Sequence, residues 1–440
     1  MEQRVMFIGR KDELKQLENI YANEHSNVLV IYGRAGIGKT TLALKFCEKK
    51  HYIYYKAGDV SEAEQIKGIE KAVIEKMNDA SDSKTVLVID EFRFAATPEL
   101  KARLIKLIKE EQTYGRYMVL LLSSSVNWVE NSMVSENKDF ARFITGILKI
   151  KELSFAETVE WFPKSTASDC VMIRAILGGV PRYLKLWQEN RRIRENLLSL
   201  FFSPDAPLLN EAEYLLKLEL RELGAYNTIL TALATGRNKL NDIYEYTGYG
   251  RAKISVYLKN LSEMDIVEKV YSVSVRNAEN TKKGVYRIKD NFLNFYYAYV
   301  FPNMSDIETD NGKYIYNKLF VPDMGRFMRK SFSDVCREYL EIMSKYKKLG
   351  RNYTEWQSWY GKKGILDIVG LDSERNMLVG MCFYSDKSAD FDQLDEFKLL
   401  VEEAGIRPKK LCLFSKSGFE PELIRYAKEE NIMTVSLADL

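Results

Sequence analysis

The octapeptide Gly33-Arg34-Ala35-Gly36-Ile37-Gly38-Lys39-Thr40 follows directly on the apolar run Val28–Tyr32 and opens a helix-forming stretch. A Gly-x-x-x-x-Gly-Lys-Thr string between a strand and a helix is a phosphate-binding loop. Its glycines let the backbone N–H groups from Gly36 to Thr40 converge on one phosphate without side chains crowding the turn. The pattern assigns Gly33, Gly36, Ile37, Gly38, Lys39, Thr40 and Thr41 to nucleotide binding. Lys39 is expected to neutralise charge on the outer phosphates and Thr40 to hold Mg²⁺, so ATP and Mg²⁺ are the cofactors the sequence calls for.

Further short, β-branched runs at Tyr52–Tyr55, Val86–Ile89, Val119–Leu122 and Ile147–Ile150 are separated by helix-length segments. That rhythm predicts a parallel α/β sheet over residues 1–150, with strands covered on both faces. The run Val86–Ile89 ends in Asp90-Glu91. Acidic residues commonly cap strands in solvent, but beside a phosphate loop the pair reads as the second metal-binding element, Asp90 orienting Mg²⁺ and Glu91 polarising water. The strand Tyr52–Tyr55, lying between the two motifs in sequence, favours the P-loop class with an extra central strand and a carboxylate base, which includes AAA-type ATPases. Ser123-Ser124-Ser125 ends the next strand, either as a polar sensor of the outer phosphate or as a plain turn. Arg142 is either an arginine that completes a neighbouring subunit's site or a surface residue.

Helical spacing at Glu157–Phe162, Asp169–Leu177 and Pro181–Gln188 predicts a lid over 151–210. The paired prolines of Ser203-Pro204-Asp205-Ala206-Pro207 cannot continue a helix and mark a linker. Helices at Leu223–Thr235, Leu240–Tyr246 and Arg251–Met264, then strands at Val267–Val273 and Val285–Ile288, spell a winged helix within 211–290. In its third helix Ile254, Tyr257, Leu258 and Leu261 share the apolar face. Arg251, Lys253 and Lys259 lie on other faces, and Lys282 and Lys283 sit in the wing, where double-stranded DNA would be contacted. Between Leu223 and Asp290 there are eleven Lys or Arg and seven Asp or Glu. That surplus is compatible with phosphate contacts, and equally with a packing module. An aromatic-rich connector, 291–330, leads to a last α/β domain at 331–440, with a helix at Phe332–Tyr346 and strands at Ile365–Leu371, Leu378–Phe383 and Lys410–Phe414.

The balance of 65 basic and 62 acidic residues is too even for the whole chain to bind nucleic acid through net charge. No apolar run approaches the length of a membrane span and no signal pattern opens the chain, so the cytoplasm is expected. Five scattered cysteines without a Cys-x-x-Cys pair read as core thiols. His25 and His51 lie outside any motif, which argues against Ser-His-Asp chemistry.

Gly33–Thr41, Val86–Phe92 and Gly178-Gly179-Val180-Pro181-Arg182-Tyr183-Leu184 together resemble the archaeal-type AAA ATPases over nearly the whole chain. The resemblance implies that Pro181 packs near the adenine and that Arg182 acts as a second sensor of nucleotide. It also implies a winged helix and a C-terminal domain resembling the PD-(D/E)XK nucleases. The implied fold is α/β: an AAA-type parallel sheet with a helical lid, a winged helix and a nuclease-like domain. The nuclease pattern is broken, because Phe332-Ser333, Leu366-Asp367 and Gly380-Met381-Cys382-Phe383 stand where the family has a helix Glu, an Ile-Asp strand end and a Gly-Glu-Cys-Lys strand. Only Asp367 survives of the groups that hold metal and position water. Lys387 or Glu396 would have to substitute in an active nuclease. The family's arginine before Ile-Thr-Gly is replaced by Phe143, with Arg142 one position earlier. The expected function is a regulatory ATPase whose nucleotide state repositions the winged helix and a degenerate nuclease-like domain, with a homo-oligomer as a candidate assembly. The alternative is an ATP-gated DNA-binding or protein-interaction module with little turnover.

Overall fold

The computed structural model describes residues 7–77, 84–111, 116–133, 138–271 and 284–440. They fall into two compact units. The first runs to Leu153 and takes in Val180–Lys185 and Lys217–Leu220; the second comprises Ser154–Gly179, Leu186–Leu216 and Arg221–Leu440.

The first unit is built on five parallel strands, β1 (Asn27–Tyr32), β2 (Tyr52–Lys56), β3 (Thr85–Asp90), β4 (Tyr117–Ser123) and β5 (Gly146–Lys149), in the order β2-β3-β4-β1-β5. Every residue of β1 is buried, as are all but the first residues of β3 and β4. Their unbroken apolar runs are what central strands covered on both faces require. β2 and β5 are mostly only part-buried because each has only one neighbour. The class with an inserted central strand is therefore present, but the inserted strand is β4, between β1 and β3. β2, the strand that lies between the motifs in sequence, pairs only with β3 at the edge. A right-handed crossover can return a strand to either side of its predecessor's sheet, and sequence order alone does not fix which.

In the second unit, the helices Phe155–Trp161 and Ala167–Leu177 start at reciprocal capping boxes. Ser154 Oγ accepts from Glu157 N at 3.1 Å while Glu157 returns a carboxylate to Ser154 N at 2.7 Å, and Thr166 and Asp169 repeat the arrangement. Such caps satisfy donors that a helix start leaves open. The stretch expected as a connector is helical, and its aromatic residues form a core. The Phe295 ring lies 4.9 Å from Phe201, 5.4 Å from Phe320 and 5.7 Å from Phe327, centroid to centroid. Ser203–Pro207 is a run of turns, and Ala206, Leu208 and Leu209 beside it are buried.

Three helices, Leu223–Ala234, Leu240–Thr247 and Arg251–Glu263, precede an antiparallel hairpin of β6 (Val267–Tyr271) and β7 (Gly284–Ile288). Ile254, Leu258 and Leu261 are buried, as their spacing predicts. The C-terminal sheet has the order β12-β11-β10-β9-β8, from β8 (Tyr353–Tyr360), β9 (Ile365–Asp372), β10 (Met377–Phe383), β11 (Lys410–Ser415) and β12 (Met433–Ser436). β8, β9 and β10 pair antiparallel; β10, β11 and β12 pair parallel. Side chains alternate across it: Val379 and Met381 pack with the helices Phe391–Ala404 and Pro421–Glu429. On the opposite face Cys382 meets Cys336, and the Phe414 ring lies 6.3 Å from Tyr339, both partners belonging to one helix. That helix spans Val321–Lys345, beginning well before the expected Phe332, because Pro322 sits in its first turn, where a missing N–H costs nothing. All five cysteines are free and buried. Among the described residues no helix is long and apolar enough to cross a membrane.

Phe295 is fully buried amid those rings. Phe295→Ala is expected to cost about 3–5 kcal/mol of stability, because the surrounding rings can only partly close the cavity. Denaturant unfolding of the full chain measures it, as a lower midpoint for the second unit's transition.

Candidate nucleotide-binding site

The phosphate loop joins the buried end of β1 to the helix Lys39–Cys47. Gly36 and Gly38 adopt left-handed φ values of 80° and 97°, which glycine reaches without steric cost. A Cβ on Gly33 would stand 2.6 Å from the carbonyl oxygen of Ile150, and one on Gly36 would stand 2.8 Å from Cβ of Arg182. Space, as well as torsion, therefore dictates glycine at both positions. Ile37 is buried beneath the loop and its carbonyl accepts from Arg10 at 3.1 Å. Thr41 is exposed in the helix's first turn.

Lys39 turns back into the loop, 4% exposed. Its ammonium donates to Gly33 O at 2.8 Å, Arg34 O at 3.1 Å and Ser124 Oγ at 2.9 Å. Burial pushes its pKa down to about 8, against the opposing pull of Glu91 and Asp90. Thr40 Oγ1 donates to Asp90 Oδ2 at 2.7 Å. Asp90, 3% exposed at the end of β3, also accepts from Tyr54 at 2.8 Å and from the backbone N–H of Glu91 at 2.9 Å. Burial, together with its bond to Asp90, pushes the Tyr54 hydroxyl up, so that it remains a donor. Glu91 takes a left-handed φ of 52°, and its carboxylate accepts from both the hydroxyl and the backbone N–H of Ser124. One hydroxyl at the end of β4 thus links the loop lysine to the strand-end glutamate.

Pro181 and Arg182 reach this loop. The backbone N–H of Arg182 donates to Gly36 O at 3.2 Å, its aliphatic stem lies over Gly36, and Pro181 packs beside Gly38. Arg34 extends from the loop to Tyr183 OH and Glu152, both at 3.3 Å. The segment Val180–Lys185 therefore packs with the phosphate loop in the first unit.

Comparison with known proteins agrees with these observations. A family described as an ATPase domain predominantly from Archaea matches residues 7–79, one described as bacterial regulatory proteins of the arsR family matches 227–269, and one described as archaeal and bacterial proteins of unknown function matches 296–394. An uncharacterized protein of Methanocaldococcus jannaschii is 29% identical over 394 residues, 85% of this chain and 86% of that one. An uncharacterized ATP-binding protein of the same organism is 46% identical over 46 residues, covering 10% of this chain and 78% of its own length. Residues 7–79 thus match an archaeal ATPase domain. Among solved structures, a Walker-type ATPase of Pyrococcus abyssi is 16% identical, with a TM-score of 0.48, covering 67% of this chain and 97% of that one. The ORC2 protein of Aeropyrum pernix is 17% identical, with a TM-score of 0.44 and coverages of 70% and 95%.

The other residues singled out in the sequence lie apart from the loop. Arg142 is exposed and pairs with Asp139 at 3.6 Å, while its neighbour Phe143 packs on the core of the first unit. Arg251, Lys253 and Lys259 are exposed on the third winged-helix helix. Arg251 lies 4.3 Å from the Tyr244 ring centroid, Lys253 lies 4.5 Å from that of Tyr249, and Lys259 pairs with Glu263 at 3.6 Å. Lys282 and Lys283 lie outside the described residues. Asp367 accepts from Cys382 N at 3.0 Å and pairs with Arg329 at 3.6 Å. Burial pushes its carboxyl up despite the arginine.

Sequence reasoning missed Arg10 and Tyr54. Ile8-Gly9-Arg10 carried a usable signal, a glycine-arginine turn before a helix, and both Gly9 and Arg10 are left-handed here. Tyr54 carried none, since its role depends on β2 lying beside β3. Gly36→Ala combines a disfavoured φ with the collision at Arg182, for at least about 1–2 kcal/mol. Nucleotide affinity, measured by titration with a fluorescent nucleotide, should fall about tenfold or more. Arg182→Ala in the same chain should restore little, because the colliding Cβ remains.

Proposed function

We propose that this chain is a regulatory ATPase that binds ATP with Mg²⁺, hydrolyses it, and uses the nucleotide state to reposition its winged helix and C-terminal domain. The observation that carries this reading is the shared hydroxyl of Ser124, which joins Lys39 to Glu91. ATP supplies phosphate oxygens that compete for Lys39, and any shift of that lysine alters the partner of the residue placed to polarise water. Phosphate occupancy and the readiness of the base are then one variable.

Mg²⁺ fits the donors present. Thr40 and Asp90 offer two oxygens already in contact, and Mg²⁺ takes few protein ligands when phosphates supply the rest. When bound, Mg²⁺ would neutralise charge on the phosphate oxygens. Glu91 would orient and deprotonate the attacking water, Lys39 would hold the outer phosphates, and Arg182 would report their presence through Gly36.

An exposed Arg142 suits completion of a neighbouring subunit's site in a homo-oligomer. The exposed Arg251, Lys253 and Lys259 suit phosphate contacts with double-stranded DNA, made in the cytoplasm. The C-terminal domain is read as nuclease-like and inactive: Met381 is packed into the core, Phe383 carries no charge, and Asp367 already has partners. A second reading, an ATP-gated binding module with little turnover, is favoured by the way Ser124 engages both oxygens of Glu91.

Lys39→Ala should abolish ATP binding in calorimetry. Glu91→Gln should keep binding but lose hydrolysis by roughly 10²-fold or more; a Glu91→Gln protein hydrolysing at the parental rate would replace the ATPase reading with the binding-module one. Tyr54→Phe removes a donor that fixes Asp90. It should leave Mg²⁺-free nucleotide affinity unchanged and raise the Mg²⁺ concentration needed to tighten binding by about tenfold, read from fluorescent-nucleotide titrations across a Mg²⁺ series.

A further inference from the structure

Glu219 lies between the helices Glu211–Lys217 and Leu223–Ala234, on the stretch of chain that enters the winged helix. The segment Lys217–Leu220 packs with the first unit. A solvated acidic linker would be the ordinary expectation for Leu218-Glu219-Leu220-Arg221-Glu222. Instead the Glu219 side chain is 11% exposed and its carboxylate accepts from Ser125 Oγ at 2.8 Å and from the backbone N–H of Val126. Burial pushes its carboxyl up, against the opposing effect of those donors and of Arg93.

Both contacts fall where hydrolysis would be controlled. Ser125 directly follows Ser124, which holds Lys39 and Glu91. Ser125 Oγ also accepts from Trp128 N at 3.2 Å, so it fixes the start of the next helical turn. A further contact comes from the short helix Phe92–Ala95 that follows β3. Arg93, two residues beyond Glu91, donates to Leu218 O at 3.2 Å and stands 3.8 Å from Glu219. Two adjacent residues of one segment therefore grip both strand ends that carry the hydrolytic side chains. Ser125 and Ser124 share one planar peptide, so a displacement of the Ser125 backbone acts directly on that of Ser124.

We propose that Glu219 is a positioning residue for ATP hydrolysis and the clamp through which the state of the Glu91 site is passed to the segment leading into the winged helix. The proposal rests on the ATPase reading above. Glu219 touches neither nucleotide nor water; it acts by setting Ser125, and through it the hydroxyl that orients Glu91. When phosphate contacts alter Ser124, Ser125 and Val126 move relative to Glu219 and the grip on Leu218-Glu219 changes.

The test compares full-length wild type, Glu219→Ala, Glu219→Gln and Ser125→Ala. Fluorescent-nucleotide titration shows whether each binds, single-turnover hydrolysis gives the chemical step, and mass spectrometry follows tryptic cleavage after Lys217 and Arg221 with and without ATPγS. Glu219→Ala should bind nucleotide as wild type does, yet hydrolyse it about 10- to 100-fold more slowly through misplacement of the base. Ser125→Ala should behave alike. Glu219→Gln should recover most of the rate, because its amide oxygen accepts the same two hydrogen bonds. In wild type, ATPγS should change the rate of cleavage after Arg221, and in Glu219→Ala that difference should vanish. A wild-type hydrolysis rate in Glu219→Ala, or wild-type cleavage indifferent to ATPγS, would overturn the clamp. Wild type that binds nucleotide without turnover would remove the ATPase reading, and the cleavage comparison would then decide the clamp alone.

Discussion

A lysine with 4% of its surface exposed must find an acceptor for each of its ammonium's three N–H bonds, and much of the first unit is arranged to provide them for Lys39. An unpaired buried charge costs several kcal/mol, enough to rival the net stability of a domain. Two acceptors are carbonyls of the loop itself, from Gly33 and Arg34, and they face inward because glycines let the chain turn at Gly36 and Gly38. The third, Ser124, is present because β4 pairs with β1 on one side and β3 on the other. The inserted strand is thus a condition for satisfying the lysine, and it brings the ends of β1, β3 and β4 to one place.

That arrangement also explains why Glu91 tolerates an unfavourable backbone. A left-handed non-glycine residue costs roughly 1–2 kcal/mol. Phe92, immediately after it, is 1% exposed and stacks with Phe140 at 5.9 Å, so the following residue anchors the turn in the core. Ser124 fixes the side chain from the other direction. Packing and hydrogen bonding together aim a carboxylate beside the phosphate loop, and strain held at a site of this kind is a common mark of function.

How much of this was legible depended on whether the cause was local. The loop, β1, β3 and β4 announce themselves because unbroken apolar runs and obligatory glycines are local consequences of burial and of positive φ. Ile254, Leu258 and Leu261 were legible for the same reason, through their period. β8 was not, since Tyr353–Tyr360 interleaves Glu355 and Gln357 with aromatic residues along a sheet edge and reads as irregular. Tyr54 and Glu219 were invisible because each acts on a partner 36 or 94 residues distant, and nothing in the neighbouring sequence distinguishes a tyrosine on an edge strand or a glutamate in a linker. The helix Val321–Lys345 begins before the expected Phe332, with Pro322 in its first turn.

The same reasoning bears on the C-terminal sheet, where Asp334 and Asp367 are both engaged by groups of the protein itself. Asp334 is drawn up by burial, but Lys330, Arg287 and Arg337 outweigh this and hold it well below the usual carboxylate range. Arg287 comes from β7 of the winged helix and pairs with Glu268 at 2.6 Å as well as with Asp334 at 3.7 Å. A carboxylate surrounded by three cations has little to offer a metal, and a carboxylate such as Asp367, pushed toward its neutral form and already bonded to Cys382 N, has less. The ion pairs instead fasten the winged-helix hairpin to the helix Val321–Lys345, so the two elements should respond together to whatever moves either. On the regulatory reading, that lets the hairpin and the helix Val321–Lys345 act as one joint within the second unit.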